Sequence, residues 1–194
     1  MATAGQSNAA RSPAAGVVVM HKMKYRDIQP AHENSVLDSF EGYLKESGAT
    51  FQVIERPDPP DALVNIDGEP CWVEITDAFQ SIEWAKSITS YAAEDKTHTP
   101  RKSGVIFNPD SAACEKVKEV IVKKYDKQTM KDLYLSRGQG ILLVGAYTPL
   151  TTLEEIIEQG SDLILSEISQ KISIFKSIYL YQNSQQGHVF SKFL

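Results

Sequence analysis

Several stretches of the chain carry apolar residues three or four positions apart, which is the spacing of one helix face. In residues 33–47 this face holds Val36, Leu37 and Phe40, and Gly48 is suited to end the helix. The same spacing predicts further helices over residues 80–93, 111–125 and, as one helix or two, 152–174, and we expect a short polar helix at 127–136.

Shorter stretches rich in branched and aromatic residues predict strands. The turn Asp67-Gly68 joins two of them, as in a hairpin, and the continuous apolar run 140–147 suits a strand buried on both faces. The predicted strands are 50–56, 62–66, 71–76, 140–147, 177–182 and 188–193. This order of elements predicts an α/β fold with a mixed central β-sheet flanked by helices.

Composition narrows the class of protein. The chain has 194 residues, of which 42% are hydrophobic, enough for one domain at residues 16–194 behind a disordered tail at residues 1–15. No apolar run approaches the about 20 residues of a membrane span, so we expect no membrane partner. Cys71 and Cys114 show no metal or disulfide spacing, which fits a reducing, cytoplasmic setting. The net charge of −5 argues mildly against a surface that binds nucleic acid everywhere, but allows a local basic groove.

Two carboxylates stand out in the predicted hairpin. Asp61 opens one strand and Glu74 lies within the next, so the two lie close together if these strands are neighbours. Close carboxylates repel each other, and a divalent cation such as magnesium or manganese relieves the repulsion. The alternative is that both are surface acids beside turns, with Glu74 facing solvent.

Two further charges lie on predicted buried faces. At about 100° per residue, Lys124 falls in the middle of the apolar face of the helix 111–125. A lysine there needs a carboxylate partner or a route to solvent, which snorkelling provides. Glu33 falls on the apolar face of the first helix, where an acid can also stabilise the helix start. Together they predict a polar pocket built from Glu33, Asp61, Glu74 and Lys124.

These motifs, in the order helix, meander, helix, strand, resemble the PD-(D/E)XK nuclease superfamily, the restriction-endonuclease-like fold. The matching residues are Pro60-Asp61 and Glu74-Ile75-Thr76. The resemblance covers most of residues 31–147.

The match departs from the family pattern at one position. The family motif ends in lysine, where this chain has Thr76. In E-x-T variants of this fold the following helix supplies the lysine, and Lys124 is placed to do so. Pro57-Asp58 also matches the first motif, but Asp61 directly adjoins the strand.

The resemblance implies a metal-dependent nuclease whose partner is nucleic acid, with DNA as the expected polymer. Asp61, Glu74 and the carbonyl of Ile75 would bind Mg²⁺ or Mn²⁺, and Glu33 would complete the shell through a water molecule. Many nucleases of this fold act as dimers, so a homodimer stays open.

The resemblance also implies roles for two other residues. Lys124 would orient the attacking water or neutralise charge on the phosphoryl oxygens, and Thr76 would hydrogen-bond the same water. The main alternative is a non-catalytic binding or regulatory module on a degenerate nuclease-like scaffold, favoured by Thr76 and by the acidic charge. A small-molecule hydrolase ranks last, because the chain has no Ser/His/Asp or Cys/His pattern.

Overall fold

The structure is a computed structural model that describes residues 22–101, 107–148, 150–185 and 187–194. The tail predicted at residues 1–15 lies outside them. The helices are α1 (Tyr25–Glu46), α2 (Ile82–Ala92), α3 (Pro109–Asp126), α4 (Gln128–Arg137) and α5 (Leu153–Ile168). The strands are β1 (Phe51–Glu55), β2 (Ala62–Ile66), β3 (Glu69–Phe79), β4 (Gly140–Tyr147), β5 (Phe175–Ser184) and β6 (Gly187–Lys192).

The described strands form one sheet in the order β1-β2-β3-β4-β5-β6. The central strands β3, β4 and β5 run parallel, and the outer pairs are antiparallel. Asp67 and Gly68 close the hairpin between β2 and β3 with positive φ angles of 54° and 87°, the geometry of a primed turn. The prediction of an α/β fold with a mixed sheet flanked by helices is confirmed.

Neighbouring residues of the central strands point to opposite faces of the sheet, and each face carries its own core. Val73 and Leu143 belong to the core that contains the apolar side chains of α1. Trp72 and Leu142 belong to the core formed with α3, α4 and α5. Helix α1 thus covers one face of the sheet, and α3, α4 and α5 cover the other. No helix in the described ranges is long and apolar enough to cross a bilayer.

Most predicted elements have the observed bounds to within a few residues, and three differ more. Helix α1 begins at Tyr25 rather than at 33, because its first turns carry no buried apolar residue that would reveal a helical period. Strand β3 continues past 76, since Asp77, Ala78 and Phe79 pair with the end of β4. The stretch 152–174 forms a single helix that ends at Ile168.

Strand β3 is fully paired along only part of its length. Its pairing with β2 stops where Ala62 faces Val73, whereas its pairing with β4 continues to Phe79. Beyond Val73, one edge of β3 therefore lacks a neighbouring strand. The candidate site lies along this open edge.

Candidate active site

Asp61 occupies the place where the partner of β3 ends. Its Oδ2 accepts a hydrogen bond of 2.6 Å from the backbone N–H of Ile75. Because β2 has no residue opposite Ile75, this carboxylate satisfies an amide that a longer strand would otherwise have paired. The short β2 thus brings Asp61 next to the middle of β3.

Glu74 and Lys124 form a buried ion pair on the face of β3 that packs against α3. Glu74 Oε1 accepts a hydrogen bond of 2.6 Å from Lys124 Nζ, and their side chains are 4% and 17% exposed. The same ammonium lies 3.4 Å from the Ile75 carbonyl oxygen, and Lys127 Nζ lies 3.8 Å from Glu74. Lys124 therefore points toward the sheet, as the helical period of 111–125 predicts.

The second carboxylate oxygen of Glu74 is unpartnered. Glu74 Oε2 is buried and has no hydrogen-bond partner among the described residues. A buried carboxylate oxygen without a donor is costly, and native structures rarely leave one in this state. This oxygen identifies a position where a cation or a hydrogen-bond donor fits.

The charge on Asp61 is also incompletely compensated. Burial raises the pKa of Asp61 from 3.8 to about 6, and the negative charge of Glu74 adds to the effect. The Ile75 hydrogen bond and the Lys124 ammonium lower this pKa but do not offset the increase. The ammonium groups of Lys124 and Lys127 lie beside Glu74 and leave the charge on Asp61 incompletely compensated, which favours a further cation between the two carboxylates.

Glu33 lies near these residues but does not join Lys124. Its Oε2 accepts a hydrogen bond of 2.9 Å from Arg56 Nη2, and Arg56 Nε donates at 3.3 Å to the backbone carbonyl of Asp61. Gln29 donates to the other oxygen of Glu33. Glu33 is thus linked to Asp61 through Arg56, and its negative charge also helps to raise the pKa of Asp61. One pocket shared by Glu33, Asp61, Glu74 and Lys124 therefore stays a prediction.

Thr76 and Asp58, the other residues considered in the sequence motifs, lie outside the network of contacts around Glu74. Thr76 is half-buried on the same strand face as Glu74, and its hydroxyl forms no hydrogen bond with the described residues. Asp58, the competing first acid, is exposed. The contact between Asp61 and Ile75 therefore favours Asp61 over Asp58.

The donor set fits magnesium better than it fits zinc. Asp61, Glu74 and the Ile75 carbonyl present only oxygen atoms, which Mg²⁺ prefers. Within the described ranges, no group of three or more His, Cys, Asp or Glu residues is arranged to hold a metal. A site with two carboxylates suits a cation that takes its other ligands from water and from a substrate phosphate. The unpartnered Glu74 Oε2 would be available as a carboxylate ligand for such a cation.

A second polar cluster lies on the opposite face of β3. Asp77 accepts a hydrogen bond from the Tyr181 hydroxyl, and its Oδ2 lies 3.2 Å from His32 Nε2. A Cβ atom at Gly145 would clash with Asp77 Oδ1 and would lie 2.7 Å from Tyr181 Cζ. The cluster therefore requires glycine at 145, and an isolated glycine within an apolar strand was the one sequence signal for this close approach.

This cluster fixes α1 relative to the candidate site. Burial opposes the charge on His32, but the hydrogen bond and negative charge of Asp77 outweigh it, so the pKa of His32 is raised. Burial also raises the pKa of Tyr181, which keeps its hydroxyl protonated as a donor to Asp77. Since His32 precedes Glu33 and Asp77 follows Ile75 by two residues, the cluster holds together both sides of the site.

Comparison with protein-family models, with curated proteins and with solved structures found no match to this chain. The resemblance to the nuclease superfamily therefore rests on the short motifs around Asp61 and Glu74. The geometry of these residues is compatible with that family's chemistry, which we take up as a proposal.

Proposed function

We propose that this protein is a metal-dependent nuclease that hydrolyses phosphodiester bonds of nucleic acid, with DNA as the expected polymer. The observation that carries the proposal is the Glu74 carboxylate, which binds Lys124 with one oxygen and has a buried, unpartnered second oxygen. Asp61 adds a second carboxylate whose pKa is raised by burial. Perturbed ionisable groups of this kind concentrate at functional sites.

In this proposal, Asp61, Glu74 and the Ile75 carbonyl would hold Mg²⁺ or Mn²⁺. When bound, such an ion polarises the phosphate and lowers the pKa of a water molecule in its shell. The raised pKa of Asp61 means that cation binding competes with a proton, so affinity for the metal falls below about pH 6.

The side chains around Asp61 and Glu74 supply hydrogen bonds to the water and the phosphate and hold Asp61 in position. The Lys124 ammonium, 3.4 Å from the Ile75 carbonyl, donates a hydrogen bond to the attacking water or to a phosphoryl oxygen. The Thr76 hydroxyl faces the same side of the strand and accepts a hydrogen bond from that water. Arg56 positions Asp61 by holding its carbonyl oxygen, and Glu33 holds Arg56 in turn. In this proposal Glu33 also completes the metal shell through a water molecule, as the resemblance implies.

The test is a cleavage assay with Mg²⁺ and Mn²⁺ on labelled single-stranded DNA, duplex DNA and RNA. Calorimetric metal titrations accompany it for the wild type, Asp61→Asn and Glu74→Gln. Asp58→Asn is the matched control, because Asp58 follows a proline as in the Pro-Asp motif yet is exposed. We expect the two site variants to lose metal binding and cleavage, and the control to keep both.

Cleavage that survives in Asp61→Asn and Glu74→Gln would contradict the proposal. A loss of cleavage in Asp58→Asn equal to that in Asp61→Asn would assign the first acid to the wrong residue. Circular dichroism of each variant establishes that the fold is intact.

A non-catalytic nucleic-acid-binding module is the second candidate. It is favoured by the Lys124 ion pair, which already neutralises one oxygen of Glu74 without a metal. Nucleic-acid binding without cleavage of any polymer, at millimolar Mg²⁺ and Mn²⁺, would select this candidate. The free, buried thiols of Cys71 and Cys114 support a reducing, cytoplasmic setting for either function, and light scattering would decide whether the protein acts as a homodimer.

A further inference from the structure

A cavity of about 360 Å³ lies beside the open edge of β3, between α2 and α3. Asp77 and Phe79, from the part of β3 that has no β2 neighbour, form one side of it. The volume falls within the range of about 300–1,000 Å³ that is typical of ligand sites. None of the roles proposed for the acids, the lysine or the arginine uses this cavity.

The cavity combines apolar surface with polar groups at its ends. Tyr25 and Ile82 line it although their side chains are 48% and 69% exposed, and Phe79 adds a second ring. Asp77 lines the cavity at the strand, with a carboxylate that also accepts from Tyr181 and contacts His32, and Lys86 contributes an ammonium from α2. This lining suits a planar group that carries N–H donors and is linked to an anion.

The two lysines that line the cavity differ in their charge environment. Lys116 is paired with Glu119 at 2.6 Å, so its charge is already compensated. Lys86 forms no ion pair with any residue in the described part of the chain. An anion entering the cavity would therefore meet an uncompensated ammonium at Lys86.

The cavity is adjacent to the candidate active site along two elements. Val120 lines it and lies one helical turn, about 6 Å, before Lys124 on α3. Asp77 lies three residues after Glu74, or about 10 Å along β3. Under the proposed function, a polymer bound at Glu74 would reach the cavity by crossing the open edge of β3, because Asp77 lies on the opposite face of the strand from Glu74.

We infer that this cavity binds one unpaired nucleotide of a single-stranded nucleic acid. The base contacts Tyr25, Phe79 and Ile82, its N–H groups meet Asp77, and the phosphate meets Lys86. A cavity of this size accepts one base but not a base pair, so a duplex must open before it can enter. Since the ligand class is taken from the proposed nuclease activity, this binding site rests on that proposed function.

The test measures binding without metal, so that it does not depend on cleavage. A fluorescent single-stranded oligonucleotide is titrated in EDTA, followed by anisotropy, and thymidine and adenosine 5′-monophosphates serve as competitors. The main variant is Tyr25→Ala. Its matched control is Tyr91→Ala, because Tyr91 is 53% exposed and also lies near a lysine ammonium, but does not line the cavity.

We expect Tyr25→Ala to weaken single-strand binding by about fivefold or more, as for the loss of a stacked base, and Tyr91→Ala to leave it unchanged. The pair Ile82→Ala and Ile88→Ala repeats the comparison on one helix with aliphatic residues, of which only Ile82 lines the cavity. Lys86→Gln is expected to reduce the salt dependence of binding.

Three outcomes would overturn the inference. They are equal binding by Tyr25→Ala and Tyr91→Ala, duplex binding as tight as single-strand binding, and no displacement by either mononucleotide. If Asp61→Asn abolishes cleavage while Tyr25→Ala changes nothing, the nuclease proposal stands and the cavity site fails. If binding depends on Tyr25 but no metal supports cleavage, the cavity site stands and the nuclease proposal fails.

Discussion

The ammonium of Lys124 lies 2.6 Å from Glu74 Oε1, although 50 positions separate the two residues in the chain. Glu74 lies in the middle of the sheet and Lys124 near the end of α3, so the pair joins the two elements on either side of the candidate site. A buried pair of this kind contributes little net stability, but the loss of one member leaves an uncompensated buried charge.

Lys124→Met is therefore expected to lower the free energy of unfolding by about 3 kcal/mol. Lys45→Met, which breaks the more exposed pair with Glu41, is the control and should cost less than about 1 kcal/mol. Urea denaturation at neutral pH measures both changes. Equal losses of stability in the two variants would show that burial of the pair between Glu74 and Lys124 does not increase the cost of breaking it.

In the metal-free protein, Asp61→Asn is expected to raise stability at high pH and to change it little at low pH. The pKa of Asp61 is about 6 in the fold and 3.8 in the unfolded chain. Between these values the folded state binds more protons, so wild-type stability falls as the pH rises through this window, by about 2–3 kcal/mol.

Asparagine keeps an oxygen acceptor for the Ile75 N–H but carries no charge. The stability of the variant therefore does not decrease as the pH rises through this window. Urea denaturation from about pH 4 to about pH 8 checks the difference. A difference between wild type and variant that does not depend on pH would contradict this account.

Gly145→Ala is expected to destabilise the protein by about 1–3 kcal/mol, because the new methyl group would clash with Asp77 and Tyr181. Gly42→Ala is the control, since a Cβ atom there meets nothing within 4 Å and lies inside a helix. The control should gain up to about 1 kcal/mol. Thermal denaturation of both variants makes the comparison, and a neutral Gly145→Ala would mean that the cluster readily rearranges.

Arg56→Gln is expected to weaken Mg²⁺ binding more than it lowers stability, because Arg56 holds the Asp61 carbonyl and Glu33 at once. Its pair with Glu33 is part-buried, so a loss of about 1 kcal/mol in stability is expected. Calorimetry measures the metal affinity, and urea denaturation measures the stability. If Arg56→Lys binds Mg²⁺ as tightly as the wild type, the positive charge alone is sufficient and the hydrogen bond to the Asp61 carbonyl is not required.

His32 is expected to titrate above its ordinary pKa of 6.5, and Asp77→Asn is expected to lower that pKa. The stabilisation from the charged imidazole is fully present below about pH 6.5 and is lost as the pH rises through the pKa of the folded state. Nuclear magnetic resonance titration of the imidazole measures it. An unchanged pKa in Asp77→Asn would show that other groups raise it.

The local pattern of apolar and polar residues accounts for most of the helices and strands, and for the inward position of Lys124. The bounds of β2 and β4 follow from short apolar stretches closed by turn residues, and Lys124 follows from the helical period. The contacts of Arg56 and of His32 join residues 23 and 45 positions away, and no period relates such positions. Thus the acids and the lysine could be predicted, whereas the residues that support them could not.

The early end of β2 has a consequence for how such a site can arise or disappear. An open strand edge is normally a risk, since it can recruit a foreign strand. Here Asp61 blocks the start of that edge by satisfying the Ile75 amide with a side chain. Extending β2 by two residues would pair the same amide with backbone and leave the six-stranded architecture unchanged. Under the proposed function, the difference between a reactive centre and an inert sheet would therefore be the length of one strand.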